Sequence, residues 1–279
     1  MSRRRTYARA KEYTGPRRLV LDVSHWQGMI DFEQVAGDIQ QPAAVIVRLG
    51  DGKTDDTKGA GYLRDAKAAG LLVGAYRYLR ADHPLSLMVE SDKRVLDAAG
   101  VELDLPLCPD LEGAPDPDGQ GERKAKGAWQ NVSPTPDPDT AEVLERTHEY
   151  IEHAYALTGK QPWLYTGRAW LDYVRNPPAW AAQTPLWLAI GAGGRIPNPW
   201  LLGDVVLHQY SAKGRVRGIN EPVDCNHFHG TIDDLRGTPA VPEDIDRAAV
   251  LYGLADGAPE AEREILLRAA GELGSLRVC

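Results

Sequence analysis

A parallel β/α barrel that becomes irregular in its last third is the fold class this sequence predicts, and three observations predict it. Short apolar runs recur along the chain at Leu19–Ser24, Ala44–Gly50, Leu72–Leu79, Pro106–Gly113, Pro162–Gly167, Pro185–Gly191 and Val205–Ser211. Most are bounded by Gly, Pro or Asp, as buried strands should be. The runs alternate with helical patterns up to about residue 185, and then follow one another with little helix between them. Val45-Ile46-Val47 and Val205-Val206-Leu207 are continuous rather than alternating, which marks strands covered on both faces. The chain has 279 residues, 43% of them hydrophobic, enough for the large core of a closed barrel.

The helices are read from caps and periodicity. Asp31 caps Phe32–Ile39, with Gln34 at the third helical position. Tyr62–Ala69 stops at Gly70, and Ser86–Ala99 stops at Gly100. Asp139 caps Thr140–Leu157, with Gly159 closing it; Val143, Leu144, Tyr150, Ile151, Ala154 and Tyr155 repeat at the helical period. The segment Ala114–Asp139 is rich in Pro, Gly and charge and is expected to be irregular, either a lid beside the site or a surface excursion. These features divide the chain into a basic N-terminal arm (1–17), a β/α barrel (18–237) and a short helical C-terminal extension (238–279). The extension reads as Glu243–Leu254 and Pro259–Ala270.

Composition excludes several classes. With 40 acids against 32 bases the net charge is −8, which gives no support for nucleic-acid binding. No run approaches the ~18 apolar residues of a membrane span. The basic start Met1-Ser2-Arg3-Arg4-Arg5 lacks the apolar stretch of a secretory signal, so synthesis in the cytoplasm is expected. Cys108, Cys225 and Cys279 are odd in number and match no zinc spacing; all three are read as thiols, with Cys108 and Cys225 on opposite faces of their strands. His227 and His229 form an isolated pair that no further ligand completes, so neither a metal nor another cofactor is expected.

The chemistry concentrates in acids. In Leu107-Cys108-Pro109-Asp110-Leu111-Glu112-Gly113, Asp110 and Glu112 sit two apart in an apolar segment. In a strand they project from one face, about 7 Å apart along the chain. Asp22 ends another apolar run, and Asp224 sits where a run gives way to a loop. Barrel enzymes carry their active residues at the C-terminal ends of strands. Carboxylates crowded there cannot all ionise, so one keeps its proton toward neutrality, as a general acid must. Such an arrangement suits cleavage of a glycosidic bond. Aromatics at strand ends (Trp26, Tyr76, Tyr78, Tyr165, Trp187 and Tyr210) offer broad faces to sugar rings or fill the core; Tyr76, Tyr165 and Trp187 are the preferred sugar contacts. Arg48, Arg77 and Arg80 either bind substrate carboxylates or make ordinary ion pairs.

Four stretches together resemble the glycoside hydrolase family 25 lysozymes, the Chalaropsis-type muramidases. They are Leu21-Asp22-Val23-Ser24-His25-Trp26-Gln27-Gly28, the unit Ala66 to Tyr76, Pro109-Asp110-Leu111-Glu112-Gly113, and His208-Gln209-Tyr210-Ser211 through Gly218-Ile219 to Pro222-Val223-Asp224-Cys225-Asn226. The resemblance runs from about Leu19 to Gly230 and implies an eight-stranded barrel with fewer than eight helices. It implies hydrolysis of the β-1,4 bond between N-acetylmuramic acid and N-acetylglucosamine in peptidoglycan strands. It assigns Glu112 as general acid, Asp110 as an orienting or activating group, and Asp22 and Asp224 as the other site carboxylates. Trp26, Gln209 and Tyr210, in its opening and closing motifs, join the expected substrate contacts. The chain departs from the family pattern at Arg77-Tyr78, at Arg48-Leu49-Gly50-Asp51-Gly52, and at Leu201 and Leu202. A chitinase-like hydrolase and a non-catalytic wall-binding module are the alternatives. Without a signal, a phage endolysin or a lysozyme carried on a phage tail or contractile particle is the expected setting. The extension 238–279 would then serve particle docking, self-association or packing on the barrel's own flank.

Overall fold

The computed structural model describes residues 7–8, 17–80, 83–112, 140–167, 170, 178–189, 196–197 and 205–236. In chain order the elements are β1 (Tyr7–Ala8), β2 (Arg17–Val23), α1 (Phe32–Ala36), β3 (Ala44–Asp51), β4 (Thr54–Asp55) and α2 (Gly59–Ala68). Next come β5 (Leu72–Tyr78), α3 (Leu85–Ala99), β6 (Leu107–Leu111), α4 (Thr140–Thr158), β7 (Leu164–Gly167) and α5 (Ala179–Gln183). The last are β8 (Leu186–Ala189), β9 (Ile196–Pro197), β10 (Val205–Gly214), β11 (Val223–His229) and α6 (Ile232–Arg236).

Eight strands close into a barrel in the order β2, β3, β5, β6, β7, β8, β10, β11 and back to β2. The first seven run parallel. β11 runs antiparallel to both β10 and β2. The apolar runs of the sequence locate those seven. β11 is not among them, because its inward positions Asp224 and Asn226 are polar and break the hydrophobic run. Six helices among the described residues accompany the eight strands, so the barrel is irregular where β10 and β11 follow one another directly.

Alternation along each strand sorts side chains into two layers. Leu21, Val23, Val45, Val47, Val73, Ala75 and Leu107 face outward into one core with α2 and α3. Val20, Ala44, Ile46, Leu72, Cys108, Trp163, Leu207 and Phe228 fill the barrel interior, and Leu235 of α6 closes its lower end. Because β11 is antiparallel, α6 emerges at the bottom, and the upper mouth is left for polar groups. Cys108 therefore lies inside the barrel and Cys225 in the outer core; both are free thiols.

Two helix boundaries move. Asp31 caps α1 as expected, accepting from the Gln34 backbone N–H at 3.0 Å. The helix nevertheless stops at Ala36, and Ile39 beyond it stands exposed. α2 starts three residues before Tyr62. Gly100 ends α3 in the left-handed conformation (φ 62°), which glycine adopts without strain.

Arg77 is not a substrate ligand. It faces outward and is fully buried, with Nε 2.6 Å from Asp92 and Nη2 2.8 Å from Ser91 Oγ, both on α3. Tyr150 of α4 donates to the same Asp92 at 2.7 Å, so one ion pair ties β5 to two helices. Gly50 makes this possible, since a Cβ there would lie 2.4 Å from Arg77 Nη1. Arg80 is likewise engaged, bidentate to Asp51 at 2.5 and 2.8 Å.

The domain limits shift slightly at the N-terminal end. Arg17 already belongs to β2, paired with His229, and Tyr7–Ala8 pair antiparallel with Ile196–Pro197. The segment 114–139 and the extension 238–279 lie outside the described residues.

Candidate active site

The barrel mouth gathers the four acids. Asp22 is the inward residue at the end of β2, and Asp224 lies directly opposite it in the β2–β11 register. Asp110 faces inward on β6, level with Tyr165 on β7 and Tyr78 on β5. Glu112 follows one residue beyond β6. Three acids thus come from C-terminal strand ends, as expected. Asp224 arrives differently, from the first turn of pleat of an antiparallel strand, whose start lies at the same mouth.

Depth separates their environments. Asp22 and Asp110 are buried, 6% and 3% exposed. Glu112 and Asp224 are half-buried at the rim. Asp22 Oδ2 accepts from Asn226 Nδ2 at 2.7 Å and from Gln209 Nε2 at 3.3 Å. Asn226 also donates to the Val20 carbonyl at 3.1 Å and accepts from the Trp187 indole at 2.7 Å. Tyr165 donates to Gln209 Oε1 at 3.0 Å. A continuous network thus holds Asp22 from β7, β8, β10 and β11. Asp110 differs: its Oδ1 is buried and makes no hydrogen bond among the described residues.

These surroundings raise every carboxyl. Burial first, then the Asp224 charge, pushes Asp22 well above the usual carboxylate range, against the bonds from Asn226 and Gln209. Asp224 is raised by burial and lowered by its hydrogen bond with Asp22, so the proton of that pair rests on Asp22. Burial, then Glu112 and Asp22, raises Asp110 well up. Burial, then Asp224, lifts Glu112 to about 7, with Arg48 pulling it back. The acids titrate as a group in which a proton is held near neutrality at the rim.

The predicted contacts divide. Tyr76, Tyr165 and Gln209 face the acids from β5, β7 and β10; the charges of the acids help burial keep both tyrosines protonated. Trp187 is corrected: it is 1% exposed, packed edge-on against Tyr76 and Tyr165 at 5.9 and 4.8 Å, and forms the floor beneath them. Tyr210 is corrected as well. It sits at a register shift of β10, on the outer face, and stacks on His227 at 4.0 Å. Trp26 lies just past the end of β2, 59% exposed, its ring 4.5 Å from His25. Asn226 was missed, although its position two residues after Asp224 puts it on the same strand face. Also missed were His25 and Asp56, which hold Arg48: Asp56 Oδ2 is 2.9 Å from Arg48 Nε, and His25 Nδ1 is 2.7 Å from Arg48 Nη2. Among the described residues no cluster of His, Cys, Asp and Glu could hold a metal ion.

The arrangement offers a proton donor at the rim, buried acids beneath it and an aromatic surround, inside a closed barrel. The model of glycosyl hydrolases family 25 matches residues 21–219. The chain belongs to glycosyl hydrolase family 25. It is 28% identical over 218 residues to lysozyme M1 of Streptomyces globisporus, spanning 76% of this chain and 67% of that one. It is 28% identical over 221 residues to the uncharacterized protein YegX of Escherichia coli O6:H1, spanning 78% and 71%. Among solved structures, the bacterial lysozyme of Streptomyces coelicolor shares the fold, with a TM-score of 0.62 at 22% identity over 79% of this chain and 96% of that one. This family 25 barrel is thus a glycoside hydrolase of the lysozyme type, acting on peptidoglycan.

Proposed function

We propose that the enzyme cleaves the β-1,4 bond between N-acetylmuramic acid and N-acetylglucosamine, with Glu112 as the general acid. One observation carries this reading. Glu112 is the rim carboxyl that burial and Asp224 hold near pH 7, so it can be protonated in the free enzyme and still release its proton to a leaving oxygen. Asp110 lies one strand step deeper, with its Oδ1 unengaged among the described residues. It is placed to hold the substrate's 2-acetamido group or a water. The Asp22–Asp224 pair carries the negative charge that stabilises an oxocarbenium-like transition state. Tyr76 and Tyr165 line the cleft above the Trp187 floor, and Trp26 extends its rim.

The test is clearing of purified cell walls against release of reducing ends from chitin, with Glu112→Gln as control. The wild type should clear walls and leave chitin intact, and the variant should leave both intact. Equal turnover of chitin would favour a chitinase-like enzyme. Wall binding without new reducing ends would leave a binding module.

For the setting, the proposal is a lysozyme freed by lysis or carried on a phage or contractile particle, with 238–279 as its docking or self-association element. Ile245, Ala249, Tyr252, Ile265 and Leu266 in that extension need a surface to cover them. Removing it should cost particle association or oligomerisation while sparing lysis; an insoluble or much less stable product would mean it packs on the barrel.

A further inference from the structure

We propose that Arg48, clamped at the barrel mouth by Asp56 and His25, is a positioning residue whose positive charge sets the pH window in which Glu112 donates its proton. The inference rests on the reading of Glu112 as general acid and adds the group that tunes it.

Arg48 occupies an inward position on β3, two residues after Ile46 and opposite Tyr76 of β5 in the strand register. It is buried, 7% exposed. Asp56 fixes the guanidinium through Nε at 2.9 Å and is itself anchored by the backbone N–H groups of His25 and Lys58, at 3.2 and 3.0 Å. His25 Nδ1 meets Nη2 at 2.7 Å. The other arginines on this side are committed elsewhere: Arg77 points out of the barrel to Asp92, and Arg80 is bidentate to Asp51.

Every barrel strand contributes to the environment that Arg48 opposes. β2 brings Asp22, β5 Tyr76, β6 Asp110, β7 Tyr165 and β11 Asp224, while β8 and β10 bring the uncharged Trp187 and Gln209. Asp51, at the end of β3, adds to the negative field on Asp110. The raising influences on Glu112 and Asp110 are burial and other acids, and Arg48 is the cation that lowers both. Without it, crowded acids would hold the donor's proton too tightly for release. Asp56 in turn screens Arg48. The pair therefore makes two opposite predictions: removing the cation should move the window up, and removing its counter-ion should move it down.

The test follows the Glu112 carboxyl by 13C NMR titration, assigned with Glu112→Gln, alongside the pH profile of kcat/KM on soluble wall fragments. In Arg48→Gln the Glu112 midpoint and the alkaline limb should rise together by roughly 0.5–1 pH unit. In Arg48→Lys, which keeps the charge, both should stay near the wild type. In Asp56→Asn both should fall. A loss of activity by the same factor at all pH values, with the midpoint unmoved in folded Arg48→Gln, would reduce Arg48 to a strut and overturn the proposal. If Arg48→Gln fails to fold, an unmoved midpoint in Asp56→Asn overturns it equally. Because the NMR titration needs no turnover, midpoints that move in an enzyme that cuts no wall would sink the reading of Glu112 as donor while showing that Arg48 sets the proton affinity of that carboxyl, so the two failures are distinguishable.

Discussion

Replacing Glu112 with Gln should make the enzyme inactive and, above neutral pH, more stable. The side chain keeps its size and loses its charge. In the native enzyme burial and Asp224 raise the Glu112 carboxyl from 4.5 to about 7. The unfolded chain gives up that proton near pH 4.5 and the folded chain only near 7. Between those values the native state binds more protons, so its stability falls as pH rises, and above pH 7 the full penalty is present. At about 1.4 kcal/mol per pH unit, the ionised carboxyl costs the fold about 3 kcal/mol. The variant never ionises and should escape that cost. At pH 5 and below the two proteins should melt nearly together. At pH 8.5 the variant should melt roughly 6–12 °C higher, given about 2–4 °C per kcal/mol for a domain of this size. Activity should drop by about 10²–10⁴-fold at every pH. Calorimetry at pH 4.5, 6, 7 and 8.5 beside wall clearing measures both effects. A variant less stable than wild type at pH 8.5, or a gap that does not widen with pH, would refute the raised carboxyl and the assignment built on it.

Asn226→Ala should cost about 3–5 kcal/mol, because it strips buried partners from Trp187, Val20 and Asp22 at once; urea unfolding checks this, and a loss under 1 kcal/mol would contradict the network. Trp26→Ala should change stability by less than about 0.5 kcal/mol yet raise KM for polymeric wall several-fold, whereas Tyr210→Ala should leave KM unchanged, since its ring faces out of the barrel; equal effects on KM would contradict this division. His153 is buried on α4 with neither ring nitrogen hydrogen-bonded among the described residues, and burial, then Arg77, holds it down at about 3. The unfolded chain protonates this histidine from about pH 6.5 downward and the native chain only near 3, so stability should fall as pH drops through that window. His153→Phe should flatten that fall, measured as unfolding free energy at pH 7 and 4.5; an unchanged slope would point to another group.

The sequence by itself determined the barrel and most of its site. Seven parallel strands were legible because buried strands must be apolar and must end in turn residues, and Gly100 and Asp31 marked helix ends through local chemistry that needs no neighbours. Asp110 and Glu112 were legible because two acids on one face of an apolar strand have few structural uses. Tertiary structure decided what depends on which strand lies next to which. β11 is not an apolar run, since the mouth makes its inward face polar, and only its antiparallel pairing with β2 brings Asp224 opposite Asp22. Tyr210 faces outward by alternation from Leu207 and Gln209, and only the closed barrel shows that theirs is the inner face. Trp187 became a floor because Tyr76 and Tyr165 close over it from strands far away in sequence. Arg48 and Arg77 look alike in the chain. One faces the acids and the other a helix because alternation puts Arg48 on the face of Ile46 and Arg77 on the face of Ala75, and only the assembled barrel decides which of those faces is inside.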